Sequence, residues 1–499
     1  MTKACIRYIR RYESLAQEME RTACSAQIAN IRRIRESCGR IAEGIPKTFF
    51  DALQLVWFAH EMMLCENVPA AISFGRLDYY LFPFYLQDKE AGNLTRTQAS
   101  TLIDAFFIKC SANLQAYQNI TLGGIDAQGN CTINEITYLC LEAAEKLRFD
   151  QPSLTFRWSN NMPKEAWPAI LRLIKTGLGF PALFNDFCCQ KARLRSGIAE
   201  KDAYRYAILG CVEFGIPGEE YSLTEIGRLN LPKIFELMFH NGIDEQGKKR
   251  FPLVHYKNLS DITTFDEFYQ WYLCEMEHFI RLGIESINYI DEMYGILYPQ
   301  PLLSTLMMGC IENATDVSAG GSKYNNSSFN MGGVATAVDS LVAIRKLVFE
   351  EHVVTLQEFA LALSRNFEGS KELQMMATNC CPKYGNDIDE VDWLAVDLVE
   401  KFTRIVEEYQ TPRGGRYRVG LYTVEDHAHM GLRTEATPDG RCAGAAFSNS
   451  LAPVQGKDKN GPAALINTLN KFDYEKATNG MVFDIKFTPT FLEKESHKM

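Results

Sequence analysis

Cys211 and Glu213 stand one residue apart, just past Gly210 at the end of the apolar run 204–209. In extended chain, residues i and i+2 face the same side, so this thiol and carboxylate can share one cavity. Gly215, Pro217 and Gly218 follow and let the backbone turn, which sets the pair at a loop tip. A neighbouring carboxylate raises a thiol pKa and disfavours the thiolate. The pair is therefore poorly suited to ordinary nucleophilic catalysis. It suits hydrogen-atom chemistry, in which a neutral S–H gives and takes an atom while the carboxylate handles a proton. The same local pattern also describes a core cysteine beside a solvated turn glutamate. A conventional cysteine nucleophile needs a histidine base. None of the eight histidines sits in such a motif: His60 falls on a helical stripe, and His427 and His429 read as surface or core.

The chain has 499 residues, 46% hydrophobic and 23% charged, which is ordinary globular composition and enough for one large α/β barrel or two domains. A net charge of −10 with no basic block argues against a nucleic-acid partner. No apolar run approaches a membrane span, and no signal core follows the basic start, so the expectation is a cytoplasmic protein. The 15 cysteines are scattered, include Cys188-Cys189 and Cys380-Cys381, and lack zinc-site spacing. They read as reduced thiols. Neither a P-loop nor a dinucleotide fingerprint is present.

The elements that must position the pair follow from periodicity and turn signals. Residues 1–45 form a charged helical lead-in ended by Pro46, and Thr48–Cys65 is a second helix. The small-residue segment around Ala70 and Ala71 leads to Ser73-Phe-Gly-Arg76. Residues 97–115, 134–147, 163–176 and 264–295 read as helices. Residues 121–126 and 152–158 read as strands, and Pro301–Leu306 as the start of a buried strand. Gly177-Leu-Gly-Phe-Pro-Ala-Leu-Phe-Asn-Asp186 is helix end, glycine turn, short strand and polar tip, the order of one βα unit. Its Asn-Asp end also fits an ordinary helix cap. Pro382–Asp392 reads as a surface turn.

Several stretches, in order, resemble the glycyl radical enzymes, the pyruvate formate-lyase-like superfamily. They are Gly210-Cys-Val-Glu213 with Gly215-Ile-Pro-Gly218; Gly177-x-Gly-x-Pro before Asn185-Asp186; Asn230-x-x-Lys-x-x-Glu-Leu237; Gly320-Gly-Ser-Lys-Tyr-Asn325 with Asp339-Ser-Leu-x-Ala-Ile344; Pro382-Lys-Tyr-Gly-Asn-Asp387; and Ala436-Thr-Pro-Asp-Gly-Arg441 with Pro453-x-x-Gly-x-Asp458. The resemblance implies one domain over 1–499: an α/β fold, a ten-stranded α/β barrel of two five-stranded halves ringed by helices. It implies a dehydratase, lyase or decarboxylase branch. Pyruvate formate-lyase itself has two adjacent cysteines, and here Gly210 and Val212 flank Cys211.

The same resemblance implies roles. Cys211 would carry the thiyl and Glu213 would be the base. Ala70, Ala71, Phe184, Asn185, Asp186, Phe214, Thr224 and Glu225 would line the substrate site. Ala70-Ala71 replace polar residues that bind hydroxyls in the glycerol-dehydratase-like branch, which argues against a diol. Phe184 and Phe214 would suit a larger or cyclic substrate. Partners would be a radical S-adenosylmethionine activating enzyme and a second copy of the chain, in an anaerobic cell. The family's Arg-Val-x-Gly-Tyr-like radical loop has no counterpart; Arg418-Val-Gly-Leu-Tyr422 lies on the wrong side of Ala436–Gly440 and reads as structural. The expectation is therefore a chain truncated at both ends that lacks the glycyl radical domain. The radical would come in trans from a separate subunit or be missing, and a non-catalytic homologue or fragment acting as a binding subunit is the alternative.

Overall fold

The structure is a computed structural model, and it describes residues 1–66, 70–113, 116–244, 247 and 252–495. Asn67, Val68 and Pro69 lie outside the described residues.

The charged lead-in folds as two helices, Thr2–Thr22 and Ser25–Ile41, which pack on each other. They bury only a narrow stripe, including Ile9, Ala16, Ile31, Cys38 and Ile41. Helix starts follow side-chain chemistry. Thr95, Asn134, Thr264 and Thr355 each accept from the backbone N–H three residues on or nearby, and the residue at that position returns the bond. The last two open the 33-residue helix Phe265–Leu297 and the helix Leu356–Ser364. Every residue of Val334–Ile344 is buried, the polar Thr336, Asp339 and Ser340 included.

The strands are short. In chain order they are β1 (Asn119–Gly123), β2 (Ser153–Trp158), β3 (Ala182–Asn185), β4 (Ala207–Leu209), β5 (Glu213–Gly215), β6 (Arg228–Asn230), β7 (Ser327–Ser328), β8 (Asn330–Gly332) and β9 (Tyr417–Arg418). β1, β2 and β3 form a parallel sheet with Ile120 opposite Leu154 and Phe156 opposite Leu183. The segment around Ala71 and Gly75 extends it through parallel bridges to Tyr117 and Ile120. This is a first parallel ribbon. All five residues of β1 are buried, as parallel strands covered on both faces should be.

A second parallel ribbon comes from later in the chain. β6 pairs with β8 and β7 with β9, and bridges join Glu220 to Tyr324, Leu223 to Ser327 and Leu421 to Met481. Between the ribbons stands one antiparallel hairpin, β4 with β5. Its apolar faces, with Phe184, Tyr206 and Tyr422, form a small cluster of their own between the two larger cores.

Three expectations change here. Among the described residues the strands form one three-stranded and three two-stranded sheets, not one closed ten-stranded sheet, because several parallel segments meet through a single bridge only. Pro301–Leu306 is a helix: Pro301 takes the first helical position, and the Glu66 carboxylate accepts from Leu302 N (2.6 Å) and Leu303 N (2.9 Å). The turn at Pro382–Asp392 is not on the surface. Lys383, Tyr384 and Asn386 are buried there, and Asn386 bonds to the backbone of 457–460.

Candidate active site at the hairpin tip

Gly210, Cys211 and Val212 are the turn of the hairpin. Gly210 has φ +61°, the left-handed region, and an added Cβ would lie 3.1 Å from a Glu213 carboxylate oxygen and 3.4 Å from the Ala71 methyl. Its N–H donates to Ser73 Oγ (3.0 Å), which ties the tip to the first ribbon. The Glu213 side chain folds back over the turn. One oxygen accepts from Cys211 N (3.1 Å) and Val212 N (2.8 Å). The carboxylate therefore grips the turn that presents the thiol.

Burial sets the electrostatics. Glu213 is 6% exposed, and burial pushes its carboxyl up to about 7; the N–H of Val212 opposes the rise and Glu225 adds to it. Burial also pushes the half-buried Cys211 thiol up to about 11, and Glu213 contributes to that shift. The thiol is thus neutral at physiological pH, and Glu213 sits at the border between acid and base. The Tyr117 hydroxyl lies in hydrogen-bonding reach of the thiol, and burial and that thiol raise the phenol to about 12. Sequence reading missed Tyr117. It lies far upstream in no motif, and a parallel bridge to Ala71 brings it here.

The segment 479–482 closes the site from behind. Asn479 N donates to Val419 O (2.9 Å), Leu421 N to Gly480 O (3.0 Å) and Val482 N to Leu421 O (3.2 Å). Gly480 has φ +107°, and an added Cβ would fall 2.5 Å from Val212 O. Only glycine allows this close approach to the thiol turn.

Residues 1–431 match the family described as pyruvate formate lyase-like. The chain belongs to that family. Residues 447–499 match a second family, glycine radical. The chain is 31% identical to (2S)-3-sulfopropanediol dehydratase of Klebsiella oxytoca, over 97% of its own length and 61% of that protein. It is 30% identical to trans-4-hydroxy-L-proline dehydratase of Clostridioides difficile, over 97% of this chain and 63% of that one. The solved glycerol-bound B12-independent glycerol dehydratase of Clostridium butyricum superposes with TM-score 0.93 at 35% identity, covering 99% of this chain and 64% of that one. The chain thus spans about 61–64% of the length of these relatives.

The second match overturns the expectation that this pyruvate formate lyase-like chain lacks the glycyl radical domain and takes its radical from a separate subunit. Sequence of that domain is present from Phe447 onward. The expectation keyed on one five-residue signature, whereas the match spans residues 447–499. That run includes segment 479–482, which packs against the thiol turn.

The remaining expected site residues separate into groups. Ala71 lies beside the tip, and Ala70 precedes it, exposed. Phe184 and Phe214 pack edge to face at 5.9 Å and, with Asn185, line a cavity of about 410 Å³ that Met481 and Phe483 complete. Asn185 also caps the helix Asp186–Arg195, accepting from Phe187 N and Cys188 N. Asp186 is fully buried and holds Arg157, Tyr206 Oη and Ile125 N, so it does not face a pocket. The Thr224 carbonyl accepts from Ser328, Asn330, Tyr422 and Asn479, which knits the second ribbon together. Glu225 pairs with Arg228 at 2.7 Å and lines a separate cavity of about 480 Å³ with Lys233, Asp426 and Arg433. Among the described residues no cluster of three or more His, Cys, Asp or Glu could hold a metal, and no helix is long and apolar enough to cross a membrane.

Proposed function

We propose that this chain is a glycyl radical lyase of the dehydratase type, with Cys211 as the hydrogen-atom carrier and Glu213 as the proton acceptor. One observation carries the reading. The Glu213 carboxylate is buried against the amide of the thiol residue itself, at the only hairpin standing between the two ribbons among the described residues. The two parallel ribbons are read as the two halves of the family's barrel, with the hairpin inside.

A glycyl radical in the domain that residues 447–499 match supplies removal of the hydrogen atom from the Cys211 thiol. A radical S-adenosylmethionine activating enzyme is the proposed partner that generates it. The packing of 479–482 on Val212 fits this arrangement, because it puts that domain's sequence in contact with the thiol turn. Cys211 sulfur then takes a hydrogen atom from a substrate carbon that bears a hydroxyl. Glu213, poised near neutrality, accepts the hydroxyl proton. The neighbouring carbon loses its leaving group with the bonding pair, and Cys211 returns the hydrogen atom to the product radical. For a hydroxyl leaving group, the proton held by Glu213 leaves with it as water.

The proposed substrate is a small organic molecule with a hydroxyl next to the leaving group. Ala70 and Ala71 offer methyl groups and no side-chain hydrogen bond, which disfavours glycerol and favours a substrate with an apolar or bulkier portion. The test is anaerobic turnover of the activated full-length protein. Cys211→Ala and Glu213→Gln are both expected to lower turnover by at least about a thousandfold. Retention of more than a tenth of the rate by either variant would overturn the role given to that residue.

A further inference from the structure

The hairpin that carries Cys211 and Glu213 is gripped on its second-ribbon side by three fully buried charged groups, Arg193, Glu220 and Arg418. Glu220 accepts from Arg193 Nη2 at 2.5 Å and Arg418 Nη1 at 3.1 Å, and also from Ser222 Oγ, Asn326 Nδ2 and Ile216 N. Arg418 Nη1 reaches Phe214 O at 3.3 Å, one residue past Glu213. Its Nε and Nη2 have no protein acceptor among the described residues, although the side chain is 0% exposed. Two guanidiniums thus face one carboxylate, and the surplus positive charge lies on the residue that touches the β5 backbone.

A fully buried cation with unspent donors is costly unless it acts on something else in the low-dielectric interior. Beyond Glu220, the carboxylate it can act on is Glu213, which adjoins the Phe214 carbonyl that Arg418 holds. We infer that Arg418 is a positioning residue that holds the hairpin by its backbone and, through its surplus charge, sets the protonation balance of Glu213. The inference rests on Glu213 being the base. It assigns a function to the Arg418-Val-Gly-Leu-Tyr422 stretch that its structural reading alone does not.

Other charged or titratable groups also face Glu213. Cys211 and Val212 N are on its own turn, Glu225 comes from the loop after the hairpin, Tyr117 from the first ribbon and Tyr422 from the second. Glu225 is itself paired with Arg228. Near pH 7 the thiol and both phenols are neutral, so Glu225 is the negative neighbour that opposes ionisation of Glu213, and Arg418 supplies positive charge that favours it. Burial lowers Arg418 itself to about 10, so it stays charged throughout the range in which Glu213 titrates.

The test uses the full chain without its radical, so it does not depend on turnover. The carboxylic C=O band of Glu213 is followed against pH by difference infrared spectroscopy, with Glu213→Gln supplying the assignment. Arg418→Met is expected to raise the Glu213 midpoint by roughly one pH unit, and Glu220→Gln to lower it by a similar amount. Arg418→Lys, which restores the charge, is expected to bring the midpoint back toward that of the natural protein. A merely structural role cannot produce shifts of opposite sign. Midpoints that stay put, or that move the same way in Arg418→Met and Glu220→Gln, would overturn the inference. If Arg418→Met does not fold, Glu220→Gln decides alone: a fall supports the inference and anything else overturns it. Full turnover by Glu213→Gln would instead overturn the base assignment and leave the measured electrostatics in place.

Discussion

The thiol hairpin is held by two buried arginine anchors, and they differ. On the first-ribbon side, Arg157 and Asp186 are both fully buried, balanced one to one, and saturated. Arg157 donates to both Asp186 oxygens (2.7 and 3.1 Å) and to the carbonyls of Tyr204 and Tyr206, and Tyr206 Oη completes Asp186. On the second-ribbon side, two arginines share Glu220 and leave N–H groups without protein acceptors among the described residues. The balanced anchor sits under β4, where only position matters. The unbalanced one touches β5, which carries the titrating carboxylate. A saturated pair fixes geometry. A surplus charge also leaves a field, and the carboxylate lies within it.

The largest expected effect tests the balanced side. Arg157→Ala leaves Asp186 buried and uncompensated, and should lower unfolding free energy by about 3–5 kcal/mol in chemical denaturation. Arg418→Met removes a surplus charge while Glu220 keeps Arg193, so its cost should stay below about 2 kcal/mol. Equal costs for the two would break the comparison.

The pH dependence of stability sharpens it. Glu213 has a folded pKa of about 7 against 4.5 for the free carboxyl, because burial penalises the charge. The folded state therefore holds more protons than the unfolded state between these values. The contribution of Glu213 is fully present below about 4.5 and is lost as pH rises through about 7. The loss should approach about 3 kcal/mol. Glu213→Gln should flatten denaturation midpoints across that window, whereas a slope equal to that of the natural protein would contradict the burial account.

Smaller effects belong to the thiol. Alkylation of Cys211 by iodoacetamide should follow a midpoint near 11. Glu213→Gln should lower that midpoint by removing a negative neighbour. Tyr117→Phe should raise it slightly, because the phenol hydrogen bond favours the thiolate. The reverse order of these two shifts would show that Tyr117, not Glu213, dominates the thiol.

What the sequence made legible was local. Cys211-x-Glu213 with glycines on either side predicts a turn presenting both groups, and the hairpin has that form. Helices with Thr or Asn caps and a clear apolar stripe were placed within a few residues. What was not legible depends on distance. Asn185-Asp186 reads as a polar strand end, but Arg157, from another strand, draws Asp186 inward. Pro301 reads as a strand start because its capping acid, Glu66, comes from far earlier in the chain. Lys383–Asn386 reads as a surface turn by composition, and only contact with 457–460 buries it. Tyr117 reaches the thiol because two parallel segments align. The glycine radical sequence was missed because the reading looked for one Arg-Val-x-Gly-Tyr-like signature, whereas the match covers residues 447–499.

The division of labour between Cys211 and Glu213 is tested most directly by solvent deuterium exchange. The activated full-length protein is incubated anaerobically in deuterated buffer with a substrate that it turns over, and recovered substrate is analysed by mass spectrometry. In Glu213→Gln the thiol still exchanges its hydrogen and still meets the substrate carbon. Deuterium should therefore enter unreacted substrate while product formation is nearly abolished. Cys211→Ala should show neither. Loss of deuterium entry together with product in Glu213→Gln would mean that Glu213 serves the hydrogen-atom step itself, and would contradict the assignment of separate atom and proton carriers.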